Sequence, residues 1–107
     1  MYTDDMATLP ILIPSQALAK ICQPHHVARL AAYGSIVTEH FSENSDIDLL
    51  VEFLPGKKPS LLGLGQLQMA LTTLLGRFVD LKTPEFISTQ FRQAVIDSAQ
   101  TIYEHSD

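Results

Sequence analysis

Ala32-Tyr33-Gly34-Ser35, ten intervening residues, and Ser45-Asp46-Ile47-Asp48-Leu49-Leu50-Val51 form the stretch that decides how this 107-residue chain is read. A glycine-serine turn lies ahead of two carboxylates at strand spacing, the outline of a metal-nucleotide site. Gly34 lets the backbone approach a phosphate closely, and the Ser35 hydroxyl with nearby N–H groups can bond its oxygens. Asp46 and Asp48 alternate with Ile47 and Leu49, so on a strand both carboxylates share one face while the apolar residues enter the core. Their Cα atoms would stand roughly 6.6 Å apart at strand rise. From there they can converge on one or two hard cations, which take oxygen ligands together with substrate phosphates.

A third carboxylate, Asp80, sits inside the apolar run Phe78-Val79-Asp80-Leu81. Alone it reads as a strand-end residue or as half of an ion pair with Arg77 or Lys82. If its strand lies beside the one carrying Asp48, however, Asp80 joins the same face. Three carboxylates on one sheet face repel one another unless cations lie between them, so the arrangement implies divalent metal.

The composition narrows the choices. The length is that of one domain, and a 46% apolar share is rich for a chain that must leave much of its surface exposed, which leaves apolar surface for a partner. No run approaches the length of a membrane span. The start, Met1-Tyr2-Thr3-Asp4-Asp5, lacks the pattern of a signal peptide, and Cys22 stands alone, so a reducing cytoplasm fits and no disulfide framework is expected. A net charge of −5 argues against gripping long nucleic acid. Asp46, Asp48 and Asp80 are three of its twelve acids, so part of the acidity belongs to the proposed site.

Along the chain, residues 1–14 read as an extended N-terminal arm and 15–107 as a single domain. Ser15 would cap a short helix to about Cys22, and Val27–Tyr33 suits a buried first strand. Asp46–Phe53 is the clearest strand. Ser60 reads as the N-cap of a helix to Leu75 with apolar positions 61, 64, 67, 71, 74 and 75, stopped by Gly76, while Leu62 and Met69 fall off that stripe. Gly63 and Gly65 weaken its first turns by about 1 kcal/mol each. Arg77–Lys82 reads as a third strand. Ser88 would cap a last helix to Tyr103, burying Phe91, Val95, Ala99 and Ile102. The order α-β-loop-β-α-β-α gives a small α/β layer, helices on a three- or four-stranded sheet.

With Val79-Asp80-Leu81 added, the glycine-serine, ten-residue gap and Asp-x-Asp pattern resembles the minimal nucleotidyltransferases of the DNA polymerase beta superfamily, over roughly residues 27–104. The resemblance implies an α+β fold with a mixed sheet flanked by helices. It implies that Asp46 and Asp48, with Asp80, hold two Mg²⁺ ions, that Asp80 serves the acceptor side, and that Gly34 and Ser35 bind the β- and γ-phosphates of ATP. Lys82, on strand spacing, faces the same side as Asp80 and would supply charge to the nucleotide or pair with Asp80. An acceptor hydroxyl would attack the α-phosphorus and pyrophosphate would leave. The resemblance implies a separate small helical partner that supplies or is the acceptor. In many such pairs it is a HEPN-type toxin, and the nucleotidyltransferase is its type VII antitoxin, placing AMP on a toxin tyrosine. A homo- or hetero-oligomer is compatible with this reading. Three residues depart from the family's pattern: Ile36 stands where a basic or polar residue is usual, and Glu39 and His40 stand where a small residue is. They support a second reading, an antitoxin that neutralises by binding alone. A third is the catalytic subunit of a small-molecule, aminoglycoside-like nucleotidyltransferase.

The remaining polar residues read as structural. His25-His26 lack ligand-spaced partners, His40 is a loop histidine, and Lys57-Lys58 is a solvated turn. Glu52 continues the Asp48 face as a surface carboxylate. Ser15, Ser60 and Ser88 read as caps rather than nucleophiles.

Overall fold

The computed structural model describes residues 9–38 and 40–106; most of the expected arm, Glu39 and Asp107 lie outside the described residues. Helix α1 covers Ser15–Cys22 and strand β1 Val27–Tyr33. A turn of 3₁₀ helix, Gly34–Val37, leads into the loop before β2, Ile47–Phe53. Helix α2 spans Leu61–Leu75 and β3 Val79–Lys82. A second 3₁₀ turn, Pro84–Phe86, precedes α3, Thr89–Ser98, and β4, Gln100–Glu104. The four strands form one mixed sheet in the order β3-β2-β1-β4. β1 runs antiparallel to β2 and to β4, and β2 runs parallel to β3, with α2 as the crossover that a parallel pair requires.

The period of two on β2 divides the molecule. Ile47, Leu49 and Val51 join Val79, Leu81, Leu67, Leu71, Leu18 and Cys22 in one buried cluster beneath α1 and α2. Asp48 and Glu52 lie on the opposite face. Residues 9–14 lie against this core through Leu9 and Ile13, both in the cluster. Burial pushes the Cys22 thiol up to about 12, so it packs as a small apolar residue without thiolate character.

Helix α2 ends as its sequence dictates. The Ser60 hydroxyl accepts the Gly63 N–H at 3.2 Å, and Gly76 closes the helix in the left-handed region at φ 76°, its N–H reaching Thr72 O at 2.9 Å. Its buried stripe is narrower than the expected one: Leu67 and Leu71 are fully buried, but Leu61 is 80% exposed.

Three local expectations are corrected. Pro14 occupies the N-cap of α1, and Ser15 is its first helical residue. Ser88 sits at the N-cap of α3, but its side chain makes no capping bond. The last helix does not reach Tyr103: it stops at Ser98, Ala99 turns to extended backbone, and the chain continues as β4. Thr101-Ile102-Tyr103, β-branched and aromatic, suit a strand, and β4 supplies partners to the otherwise open edge of β1, pairing Leu30 with Tyr103 and Ala31 with Thr101. Leu30, Ala31 and Ala32 are fully buried, so their backbone groups need those partners. The expected buried helix face is therefore split: Ile102 enters the core from β4, while Phe91 on α3 stays 57% exposed. Arg92 holds α3 in place, donating from Nε to Pro84 O at 2.8 Å and from NH2 to Ile87 O at 3.2 Å.

This division predicts the cost of truncation. Leu71→Ala should lower unfolding free energy by about 2–5 kcal/mol, whereas Phe91→Ser should stay within about 0.5 kcal/mol, both read from urea denaturation. Equal costs would mean that α3 packs as a core helix.

Candidate active site

Two turns and three strands build the site. β1 ends at Tyr33, and the chain then reverses through Gly34 at φ 76°, a conformation that disfavours a side chain. Gly34 has a second reason to be glycine. A Cβ there would collide with Asp48 Oδ2 and come within 3.3 Å of its Cγ, so the Asp48 carboxylate lies directly over the turn. The Ser35 carbonyl accepts the Thr38 N–H and the Thr38 hydroxyl, each at 2.9 Å, which fixes the turn. Ile36 is buried in the main cluster. The departure from the family's pattern at that position is thus a core residue rather than an apolar residue facing phosphate.

Sheet register brings the side chains together. Tyr33 pairs with Asp48, and Asp48 pairs with Asp80, so these three form a row across β1, β2 and β3 on one face. Lys82, two residues beyond Asp80, donates from Nζ to Asp80 Oδ2 at 2.6 Å. Of the two cations proposed for Asp80, Lys82 is the one that pairs with it. Arg77 instead donates from NH1 to Ser42 O at 2.8 Å and Ser45 O at 3.2 Å, and it lies over the Phe41 ring at 4.7 Å. It thereby fixes the loop that delivers Asp46, which lies exposed just before β2. Glu52, expected as a surface carboxylate, pairs with Arg29 at 3.3 Å.

The electrostatics follow from that crowding. Partial burial raises the Asp48 pKa, and the Asp80 and Asp46 carboxylates raise it further against the opposing Lys82 charge. The hydrogen bond that Lys82 donates to Asp80 holds the Lys82 pKa above its ordinary value. Burial also raises the Tyr33 hydroxyl; Lys82 works against that shift, while Asp48 and Asp80 add to it. The carboxylate oxygens fit a hard cation, and the serine hydroxyl and turn N–H groups fit the oxygens of a phosphate. Yet among the described residues no group of three or more carboxylate, histidine or cysteine side chains is gathered as a metal site. In this arrangement the Lys82 ammonium is the cation that Asp80 holds.

Tyr33 and Arg77 escaped the sequence reading. A signal for Tyr33 existed, because a strand ending at the glycine turn and running antiparallel to β2 must place its last residue beside Asp48. No spacing marks Arg77, whose acceptors are backbone carbonyls 32 and 35 residues away.

A mixed sheet carrying in-register carboxylates beside a glycine-serine turn defines a nucleotidyltransferase fold. Residues 16–107 match the model of the family described as "Polymerase beta, Nucleotidyltransferase", and the chain belongs to that family. A Methanocaldococcus jannaschii protein named as a protein adenylyltransferase is 39% identical over 75 residues, which span 70% of this chain and 78% of that one. A solved minimal nucleotidyltransferase superposes with TM-score 0.66 at 33% identity, over 79% of this chain and 85% of that one. A tri-AMPylated Shewanella oneidensis HEPN toxin in complex with its MNT antitoxin gives TM-score 0.59 at 19% identity, over 85% of this chain and 70% of that chain, a likeness of fold alone. The chain is a nucleotidyltransferase of the minimal type. Among the described residues no helix is long and apolar enough to cross a membrane.

Two substitutions test the geometry. Gly34→Ala should destabilise by about 1–3 kcal/mol through left-handed strain, and by less when Asp48→Gly removes the collision. Asp48→Asn should raise the thermal midpoint by a few degrees at pH 7 without divalent cation. The sign follows from the raised pKa: the folded chain binds this proton more tightly than the unfolded one, so stability falls as pH climbs from the ordinary aspartate value through the folded one. An unchanged or lower midpoint at neutral pH would contradict that crowding.

Proposed function

We propose that this chain transfers AMP from ATP to a tyrosine hydroxyl of a helical HEPN-type partner, and so acts as the antitoxin of a type VII pair. The observation that carries the reading is the register of Asp48 with Asp80 beside the Gly34-Ser35 turn. It is supported by the adenylyltransferase name of the Methanocaldococcus relative and by the AMPylated toxin in the Shewanella complex.

In this reading the Gly34 and Ser35 turn binds the β- and γ-phosphates through backbone N–H groups and the Ser35 hydroxyl. Asp46 and Asp48, with Asp80 beside them, would hold Mg²⁺. When bound, the metal neutralises charge on the entering and leaving oxygens of an in-line displacement. Asp80 accepts the acceptor hydroxyl's proton, the freed oxygen bonds the α-phosphorus, the bridging P–O bond breaks, and pyrophosphate leaves. Lys82 keeps a positive charge beside Asp80 and the triphosphate. With Ile36 in the core, a binding-only antitoxin loses that support, and its other support, Glu39, lies outside the described residues.

The test incubates the chain with α-labelled ATP, Mg²⁺ and the small helical protein encoded beside it. Label should appear on the partner and fall roughly a thousandfold with Asp46→Asn or Asp48→Asn. Toxin neutralisation that survives both substitutions would favour the binding-only alternative.

A further inference from the structure

The carboxylate row opens sideways at β3, an edge strand of the sheet. Between that edge, the start of α2 and the Pro84–Phe86 turn lies a cleft of about 500 Å³. Leu61, Leu64, Gly65 and Phe86 line it together with Asp80 and Lys82. Its apolar walls stand open: Leu61 is 80% and Phe86 60% exposed.

Gly65 is the informative residue. Glycine inside a helix weakens it, and nothing in the packing among the described residues asks for one here. Its φ lies outside the left-handed region, and a Cβ there would meet nothing within 4 Å. Gly63 differs, since a Cβ there would come 3.0 Å from Pro59 Cβ. What a side chain at 65 would do is fill the cleft.

We infer that this cleft is the acceptor entrance, and that it takes a tyrosine flanked by apolar residues on a partner protein. The inference rests on the reading under Proposed function. The wall chemistry selects the occupant: Leu61, Leu64, Leu81 and Phe86 suit an aromatic ring, and Gln68 on α2 with Asp80 and Lys82 on β3 supply polar groups, so the guest needs an apolar body that also carries a hydroxyl. Tyrosine has that form. A polyhydroxylated, cationic sugar would meet leucine walls and the Lys82 ammonium. Lys82 engages Oδ2 of Asp80, leaving Oδ1 to take the tyrosine proton as the tyrosine oxygen bonds the α-phosphorus, the bridging P–O bond breaks and pyrophosphate leaves. Gly65 acts here as a positioning residue that keeps the floor open.

The test uses the full chain with α-labelled ATP, Mg²⁺ and three acceptors: acetyl-Ala-Leu-Tyr-Leu-Ala-amide, acetyl-Ala-Ser-Tyr-Ser-Ala-amide and kanamycin. The leucine-flanked peptide should be labelled at least tenfold more efficiently than the serine-flanked one, and kanamycin should stay unlabelled. Gly65→Leu should cut labelling at least tenfold through the peptide KM, with Gly65→Ala between the two, while the KM for ATP stays put. Phe86→Ser, a change at an exposed side chain, should also raise the peptide KM and decides the matter if Gly65→Leu does not fold. Equal labelling of both peptides, transfer to kanamycin alone, no labelled peptide, or a Gly65→Leu chain that labels like wild type would overturn the cleft assignment. A separate readout, the shift of the unfolding midpoint by Mg-ATP, isolates the underlying reading: no shift in the wild-type chain would defeat the ATP-dependent reaction itself.

Discussion

Two carboxylates held side by side on neighbouring parallel strands set the terms for everything around them. Sheet strands lie about 4.8 Å apart, so the pairing of Asp48 with Asp80 places like charges side by side, and the Asp80 carboxylate adds to the burial that disfavours ionisation of Asp48. Free side chains would swing apart. Here Asp48 lies over Gly34, Asp80 is tied to Lys82, and the strands beneath are pinned by a buried cluster. The crowding is thus stored by the fold. The parallel pairing itself requires α2 as a crossover, which places the start of α2 beside the acidic row.

Much of this was legible because periodicity is a local property. The alternation in Asp46–Phe53 and the caps of α2 could be read without knowing what they pack against. The row of Asp48 and Asp80 was legible once two apolar runs were taken as neighbours. β4 was not, because Ala99 and Ile102 also fit a helical spacing; the open edge of β1, seventy residues earlier, decides for strand. The same holds for Arg77. Its acceptors are main-chain carbonyls, which every residue possesses, so nothing in the sequence marks the loop as its target.

The two faces of β2 divide the labour. One supplies the apolar residues that keep the sheet in place, the other the groups that act on it. A slip of one residue in the pairing with β3 would exchange them, burying Asp48 and exposing Ile47 and Leu49. The functional row and the core therefore specify the same register. Arg29 ties the far end of this face, joining Glu52, Thr101 and the Ala99 carbonyl across β2, β1 and the turn into β4.

The position of β4 also bears on the order of assembly. β1 lies in the middle of the sheet, yet one of its two partners begins at residue 100. Synthesis delivers β1, β2 and β3 before that partner exists, so a growing chain displays one bare edge of its central strand until residues 100–104 have been made. Contacts so distant in sequence slow folding, and unpaired strand edges invite other chains. In the cell, the interval between making Tyr33 and making Glu104 is when this protein most needs protection from its own copies.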